Sequence, residues 1–197
     1  MIAWYTLGVA RPKPSKMSYA EYVAAEEKSD VRHEFLDGEV CAMAGGTPEH
    51  SALAAAVIGE LRTALSGKPC RVFTADLRLR IGKTGLTTYG DIVVVCGSLE
   101  TAKDDSNAVT NPTLIVEVLS DSTESYDRGA KAAHYRRIPS LKEYVLVGQK
   151  EPLVEVYRRN ERGRWELAVE VGRGERAELD SVGVVLAVDS LYANPLA

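Results

Sequence analysis

The sequence predicts an α/β domain with a central mixed β-sheet flanked by helices and additional β-strands at the C-terminal end. Three observations predict it. The 197 residues are 45% hydrophobic and 26% charged, the ordinary globular mixture, which excludes a disordered chain, a collagen and a coiled-coil rod. Short apolar runs with period-two alternation trade places along the chain with windows that begin on helix caps. The last strand-like runs, PLVEVYRR, WELAVEV and VGVVLAVDSLY, follow one another around the polar turn ERGR without a long helix between them. The length suits one domain of residues 18–197, and residues 1–17, ending in two spaced prolines and scattered basic residues, read as an N-terminal arm.

Ser18 and Glu21 form a capping box, so a helix is expected from about Tyr19 to Lys28. RHEFLDGEVCAMA alternates around Asp37-Gly38, a pair suited to the positive φ angles of a tight hairpin. Thr47 and Pro48 supply an N-cap and a first helical residue that needs no amide partner, and Ala54, Ala55, Val57, Ile58 and Leu61 give the helix its apolar face to about Leu65. Gly67-Lys68-Pro69 stops it. Alternation resumes from Cys70 through VFTADLRLRI, turns at Gly82 to Gly85, and continues through LTTYGDIVVVC. Gly97 to Asn111 is polar and expected to be a surface loop. PTLIVEVLS is a strand that places Ile115, Glu117 and Leu119 on one face and Leu114, Val116 and Val118 on the other. A helix from about Ser125 to Arg137 then ends before Pro139, and LKEYVLV is a further strand.

Lys and Arg number 24 against 28 Asp and Glu, a formal charge of -4, so no global basic field attracts nucleic acid. Cys41, Cys70 and Cys96 are odd in number and widely spaced, and they read as buried thiols in a reducing cytoplasm. The first ten residues lack the features of an export signal. No run of eighteen apolar residues is present, so no membrane span is expected.

The chemistry concentrates in two carboxylates. Asp91 heads the apolar run IVVV and Glu117 interrupts LIVEVL, where a bare charge is costly without a cation, a basic partner or a hydrogen-bond network. Hard divalent ions are natural partners for such oxygens. Asp127, Lys131 and Tyr135 recur at four-residue spacing and share a helix face, from which Lys131 is expected to point at the carboxylate pair. Against this stand plainer readings: a turn-capping Asp91, an ion-paired Glu117, a solvated Lys131. His50 either assists the site or caps its helix, Asp76 faces either the cleft or solvent, and Tyr135 packs or catalyses.

The order RHEFLDGEV, TPEH, GDIVVV, LIVEVLS, DRGAKAAHYRR, SLKEYVLV resembles the PD-(D/E)XK nuclease superfamily, and within it the Uma-type restriction endonuclease family, over about Ser18 to Tyr192. The resemblance implies a restriction-endonuclease-like sheet and a metal-dependent endonuclease that acts on DNA as a homodimer. By position, Asp91 and Glu117 match the metal-binding carboxylates for Mg²⁺ or Mn²⁺, with a strand carbonyl near Val118. The lysine expected two positions after the second carboxylate is Leu119 here, and Lys131 on the next helix matches the role. Glu34 matches the early glutamate as a fourth member. Gly90 stands where the family commonly has proline. The implied products carry 5′-phosphate and 3′-hydroxyl ends. Two other functions fit the same residues: a silent scaffold that binds nucleic acid or protein, and a hydrolase of smaller phosphodiesters. A dimer would concentrate Arg128, Arg136, Arg137, Arg158 and Arg159 around a groove, offsetting the acidic charge.

Overall fold

The computed structural model describes residues 16–43 and 45–193, so most of the expected arm lies outside the described residues. The first helix, α1 (Tyr19–Glu26), opens on the expected capping box: the Glu21 amide donates to Ser18 Oγ at 3.3 Å and the Ser18 amide to Glu21 Oε2 at 2.8 Å. Strands β1 (His33–Leu36) and β2 (Glu39–Ala42) pair antiparallel around Asp37 and Gly38, whose φ angles are 52° and 88°. Both central residues have the positive φ that a tight hairpin demands. Helix α2 (Pro48–Ala64) starts on Thr47, whose hydroxyl accepts the His50 amide at 3.1 Å.

Strands β3 (Cys70–Thr74), β4 (Arg78–Ile81), β5 (Leu86–Tyr89) and β6 (Ile92–Cys96) follow as expected. Gly97 to Asn111 departs from the loop expectation, because β7 (Thr101–Ala102) and β8 (Asp105–Val109) lie within it. Polar composition concealed them: β8 gains its place by parallel pairing with β4 and by burying Asp105 against Arg78, whose Nη1 donates at 2.6 Å. Then come β9 (Leu114–Leu119), α3 (Glu124–Tyr126), a π-helical turn (Asp127–Lys131) and α4 (Ala132–Tyr135). Strands β10 (Glu143–Gly148), β11 (Val154–Arg159), β12 (Trp165–Val171), β13 (Arg176–Leu179), β14 (Val184–Ala187) and the turn α5 (Val188–Leu191) complete the chain.

Two mixed six-stranded sheets result, β2-β1-β5-β4-β8-β7 and β12-β11-β10-β9-β6-β3, with β13 and β14 as a separate hairpin. The expected architecture is present, with the first of these sheets built partly from the segment that looked like loop. Strand β9 is the spine. It runs parallel to β10 and antiparallel to β6, and its two faces serve two cores. Leu114, Val116 and Val118 pack with Leu53, Val57 and Leu61 of α2, whereas Ile115 and Leu119 pack with Tyr135, Leu141 and the β4 residues Leu79 and Ile81. Each such side chain contributes about 2 kcal/mol by leaving water. The alternation read from the sequence is the division between these cores.

The cysteine expectation needs correction. Cys70 and Cys96 face each other in the β3–β6 register and are joined by a disulfide, and Cys41 is exposed on the edge strand β2. Spacing alone conceals this pairing, because 26 residues of turn and hairpin separate two positions that the sheet makes neighbours. Among the described residues no helix is long and apolar enough to cross a membrane.

Candidate active site

The register of the central sheet creates the site. Ile92 pairs with Val116, so the next step along the ladder brings Asp91, just before β6, beside Glu117 in β9. Backbone and carboxylates interlock there: the Asp91 amide donates to Glu117 Oε2 at 3.2 Å, and the Val118 amide donates to Asp91 Oδ2 at 2.8 Å. Lys131 arrives from the π-helical turn, with Nζ 2.9 Å from Glu117 Oε1 and 3.5 Å from Asp127 Oδ1. Such turns are a recurrent feature of functional sites because one inserted residue re-aims its neighbours. Tyr135 closes the same corner by donating its hydroxyl to Glu117 Oε1 at 2.8 Å.

The face expected to carry Asp127, Lys131 and Tyr135 therefore does converge on Glu117. Leu119, the position where a lysine would stand two residues later, is packed in the apolar core instead. Glu34 on β1 lies in the same cleft, its carboxylate accepting from the Thr88 hydroxyl and, at 2.9 Å, from the Tyr126 hydroxyl. His50 belongs to the cleft as well as to the start of its helix, with Nε2 3.0 Å from Asp91 Oδ2. Asp76 is outside: its exposed carboxylate pairs with Arg32. Gly90 is more than a turn residue, since a Cβ there would stand 3.2 Å from Ile115 Cγ2 and 3.5 Å from both Glu117 Oε1 and the Tyr135 hydroxyl. Tyr126 and Thr88 carried no signal in the sequence; Asp127 did, through its spacing to Lys131.

The protonation states follow from burial and neighbours. Burial pushes the Glu117 carboxyl up, Lys131 pulls it down and Asp91 and Asp127 push it up again, with a net rise from 4.5 to about 8. Burial works against the Lys131 ammonium, but attraction to Glu117 and Asp127 prevails and raises its pKa, so it keeps its proton. The hydrogen bond to Asp91 is the main cause that raises the His50 pKa. For Asp91, desolvation is outweighed by His50, the Val118 amide and Lys131, and the carboxyl stays ionised below its ordinary range.

This donor set fits a divalent cation. Glu34, Asp91, Glu117 and Asp127 bring four carboxyl groups to one cleft, against the cations Lys131, His50 and Arg32. Among the described residues Asp91 Oδ1 meets no donor, and Glu117 Oε2 meets only the long Asp91 amide contact. Hard carboxylate oxygens with few donors are what Mg²⁺ or Mn²⁺ accepts. No group of three or more His, Cys, Asp and Glu close enough to enclose a metal occurs among the described residues. Such an ion would rest on two carboxylates and complete its shell with backbone oxygen and water, as Mg²⁺ commonly does.

The Uma2 family model, described as "Putative restriction endonuclease", matches residues 19–189. The chain belongs to the Uma2 family. Two similar proteins come from Synechocystis sp., both uncharacterized: slr1290 is 36% identical over 177 residues, covering 90% of this chain and 92% of its own, and sll1609 is 33% identical over 164 residues, covering 83% and 92%. Among solved structures, one titled a "putative nuclease belonging to DUF820" from Anabaena variabilis superposes with a TM-score of 0.67 at 17% identity, over 84% of this chain and 92% of that one. That likeness places this Uma2 chain in the same fold. Together with the family match it supports a nuclease of the restriction-endonuclease-like type.

The arginines expected around a groove are mostly committed within this Uma2 chain. Arg128 pairs with Glu124 and Glu155, Arg158 with Glu143 and Asp180, and Arg159 donates to the carbonyls of Arg136, Ile138 and Pro139. Arg136 lies over the Tyr157 ring. Arg137 is exposed.

Proposed function

We propose that this Uma2 protein is a metal-dependent endonuclease that hydrolyses phosphodiester bonds in DNA, with Asp91 and Glu117 holding Mg²⁺ or Mn²⁺ and Lys131 positioning the attacking water. The observation that carries this reading is the ammonium of Lys131 standing 2.9 Å from a carboxylate that is itself joined to Asp91. A divalent ion at these carboxylates supplies Lewis-acid polarisation of the scissile phosphate and a more acidic water.

The protein's own groups do the rest. Lys131 holds its proton and so acts as a donor: it orients a water and offsets negative charge that develops on the phosphate. Its placement is fixed by Asp127 on the same turn and Glu117 below, so little rearrangement is needed. Tyr135 holds Oε1 of Glu117 and His50 holds Oδ2 of Asp91, so Glu117 Oε2 and Asp91 Oδ1 are the oxygens that would hold the ion. Glu34, fixed by Thr88 and Tyr126, is placed to accept from a second water.

The test is incubation of the purified protein with supercoiled, linear and single-stranded DNA and with RNA, in Mg²⁺, Mn²⁺ or chelator, beside Glu117→Gln and Lys131→Ala. Metal-dependent cutting of DNA that both substitutions abolish is expected. Cutting that survives chelator or both substitutions defeats the assignment, and so does turnover confined to small phosphodiesters.

A further inference from the structure

The cleft that contains these residues has a volume of about 840 Å³, and its cations are already committed. Lys131 is buried against Glu117 and Asp127, His50 is bound to Asp91, and Arg32 is paired with Asp76. Among the described residues lining the cleft, no cation lacks a carboxylate partner, whereas Asp30, Glu34, Asp91, Glu117 and Asp127 all line it. A duplex is gripped through several phosphates at once, each neutralised by lysine or arginine with release of counterions. These walls offer no such set.

What they offer is apolar surface and the exposed ring of Tyr126, since Tyr89, which also lines the cleft, is buried. His50, Ala54 and Ile58 stand at four-residue spacing on one face of α2, so the surface that begins at Asp91 runs apolar for two helical turns, about 11 Å. Met43 and Ala75 line the same space. Tyr126, 36% exposed, presents its ring to the cleft and is held by its hydroxyl's bond to Glu34. Bases stack on such rings regardless of sequence, but only when their faces are free of the helix.

We propose that the cleft takes nucleic acid as a single unpaired strand, with a base stacked on Tyr126 and another against the Ala54–Ile58 face of α2. The inference rests on the proposed function, because the scissile phosphate is taken to lie at Asp91 and Glu117. Binding strength then comes from base faces and one metal-held phosphate, and salt weakens it little.

The test is fluorescence anisotropy of labelled 15-residue single-stranded DNA and the matching duplex with the full chain in Ca²⁺, over a series of salt concentrations. Tyr126→Ala, Tyr126→Phe and Ile58→Ser are compared with the parent, and thermal melts report that each variant is folded. The single strand is expected to bind at least tenfold more tightly than the duplex, with a log–log salt slope of magnitude below about 2. Tyr126→Ala should weaken single-strand binding between about fivefold and a hundredfold, with Tyr126→Phe close to the parent and Ile58→Ser in between. Equal or tighter duplex binding with a steep salt slope overturns the proposal, as does indifference to Tyr126→Ala or a failure to bind either nucleic acid. The two readings separate cleanly: single-strand binding without metal-dependent cutting defeats the endonuclease alone, and metal-dependent cutting with duplex preference defeats only the strand preference.

Discussion

Glu117 and Lys131 are a buried pair whose partners cannot be removed one at a time without consequence. Replacing Lys131 by Met leaves Glu117 and Asp127 uncompensated, and breaking a pair of this kind costs about 3–5 kcal/mol. Glu117 can escape part of that cost by holding a proton. The loss in Lys131→Met is therefore expected to be larger at pH 9 than at pH 6, as read from urea midpoints at the two pH values. In the parent, the raised Glu117 pKa works in the same direction: the folded state keeps a proton that the unfolded chain releases, so this group's contribution is full below pH 4.5 and declines until about pH 8. Metal affinity has the opposite slope. An ion needs the ionised carboxylate, so Mn²⁺ binding measured by titration calorimetry should tighten from pH 6 to pH 8.5, and the dependence should flatten in Glu117→Gln. A pH-independent affinity in the parent would remove Glu117 from the ligand set.

The elements show how local chemistry aims these groups. The π-helical turn between α3 and α4 directs Lys131 and Asp127 together at β9, and Gly129 within it is exposed with open space where a side chain would begin. Deleting Gly129 should convert the turn to regular helix and shorten the Asp127–Lys131 spacing from four residues to three, which changes how Lys131 is aimed relative to Asp127. Cleavage is expected to fall to background while far-ultraviolet circular dichroism stays within error of the parent; retained cleavage would show that the aim of Lys131 is unimportant. At the start of α2 the close approach is between Gly46 and His50, where a Cβ would sit 2.8 Å from His50 Nδ1. Gly46→Ala should push the imidazole off Asp91 and let the His50 pKa fall toward 6.5, a shift visible by NMR titration. The caps and turns of these elements were legible in the residues themselves, from Ser18 and Glu21 to Thr47 and Asp37-Gly38. The π turn was not, because the one extra residue in DRGAK fits regular helical spacing equally well on paper.

Across the whole molecule, stability comes from two cores on opposite faces of β9 and from ties between distant segments. Glu143, fully buried, accepts from Arg158 at 2.7 Å and from the amides of Asp180 and Ser181 at 3.2 and 3.0 Å, which fastens the C-terminal hairpin to the sheet. The Cys70–Cys96 bond fastens β3 to β6 across 26 residues. Loop-closure entropy gives such a link about 3 kcal/mol, so Cys70→Ser with Cys96→Ser should lower the denaturation free energy by roughly that amount, and a reducing agent should do the same to the parent. An unchanged midpoint under reducing conditions would mean that the crosslink contributes nothing to the folded state.

Local chemistry determined the caps, the hairpin turn, the strand alternation and the two carboxylates stranded in apolar runs, because each of these depends on residues within a few positions of one another. The pairing of Asp91 with Glu117 is set by strand register, the joining of Cys70 to Cys96 by the same ladder, and the strand β8 by a buried partner 27 residues away. The commitment of the arginines to internal carboxylates and carbonyls is likewise a matter of which surfaces meet. Tertiary structure decided these because their energies arise between segments that are remote in sequence and become neighbours only when the sheets assemble.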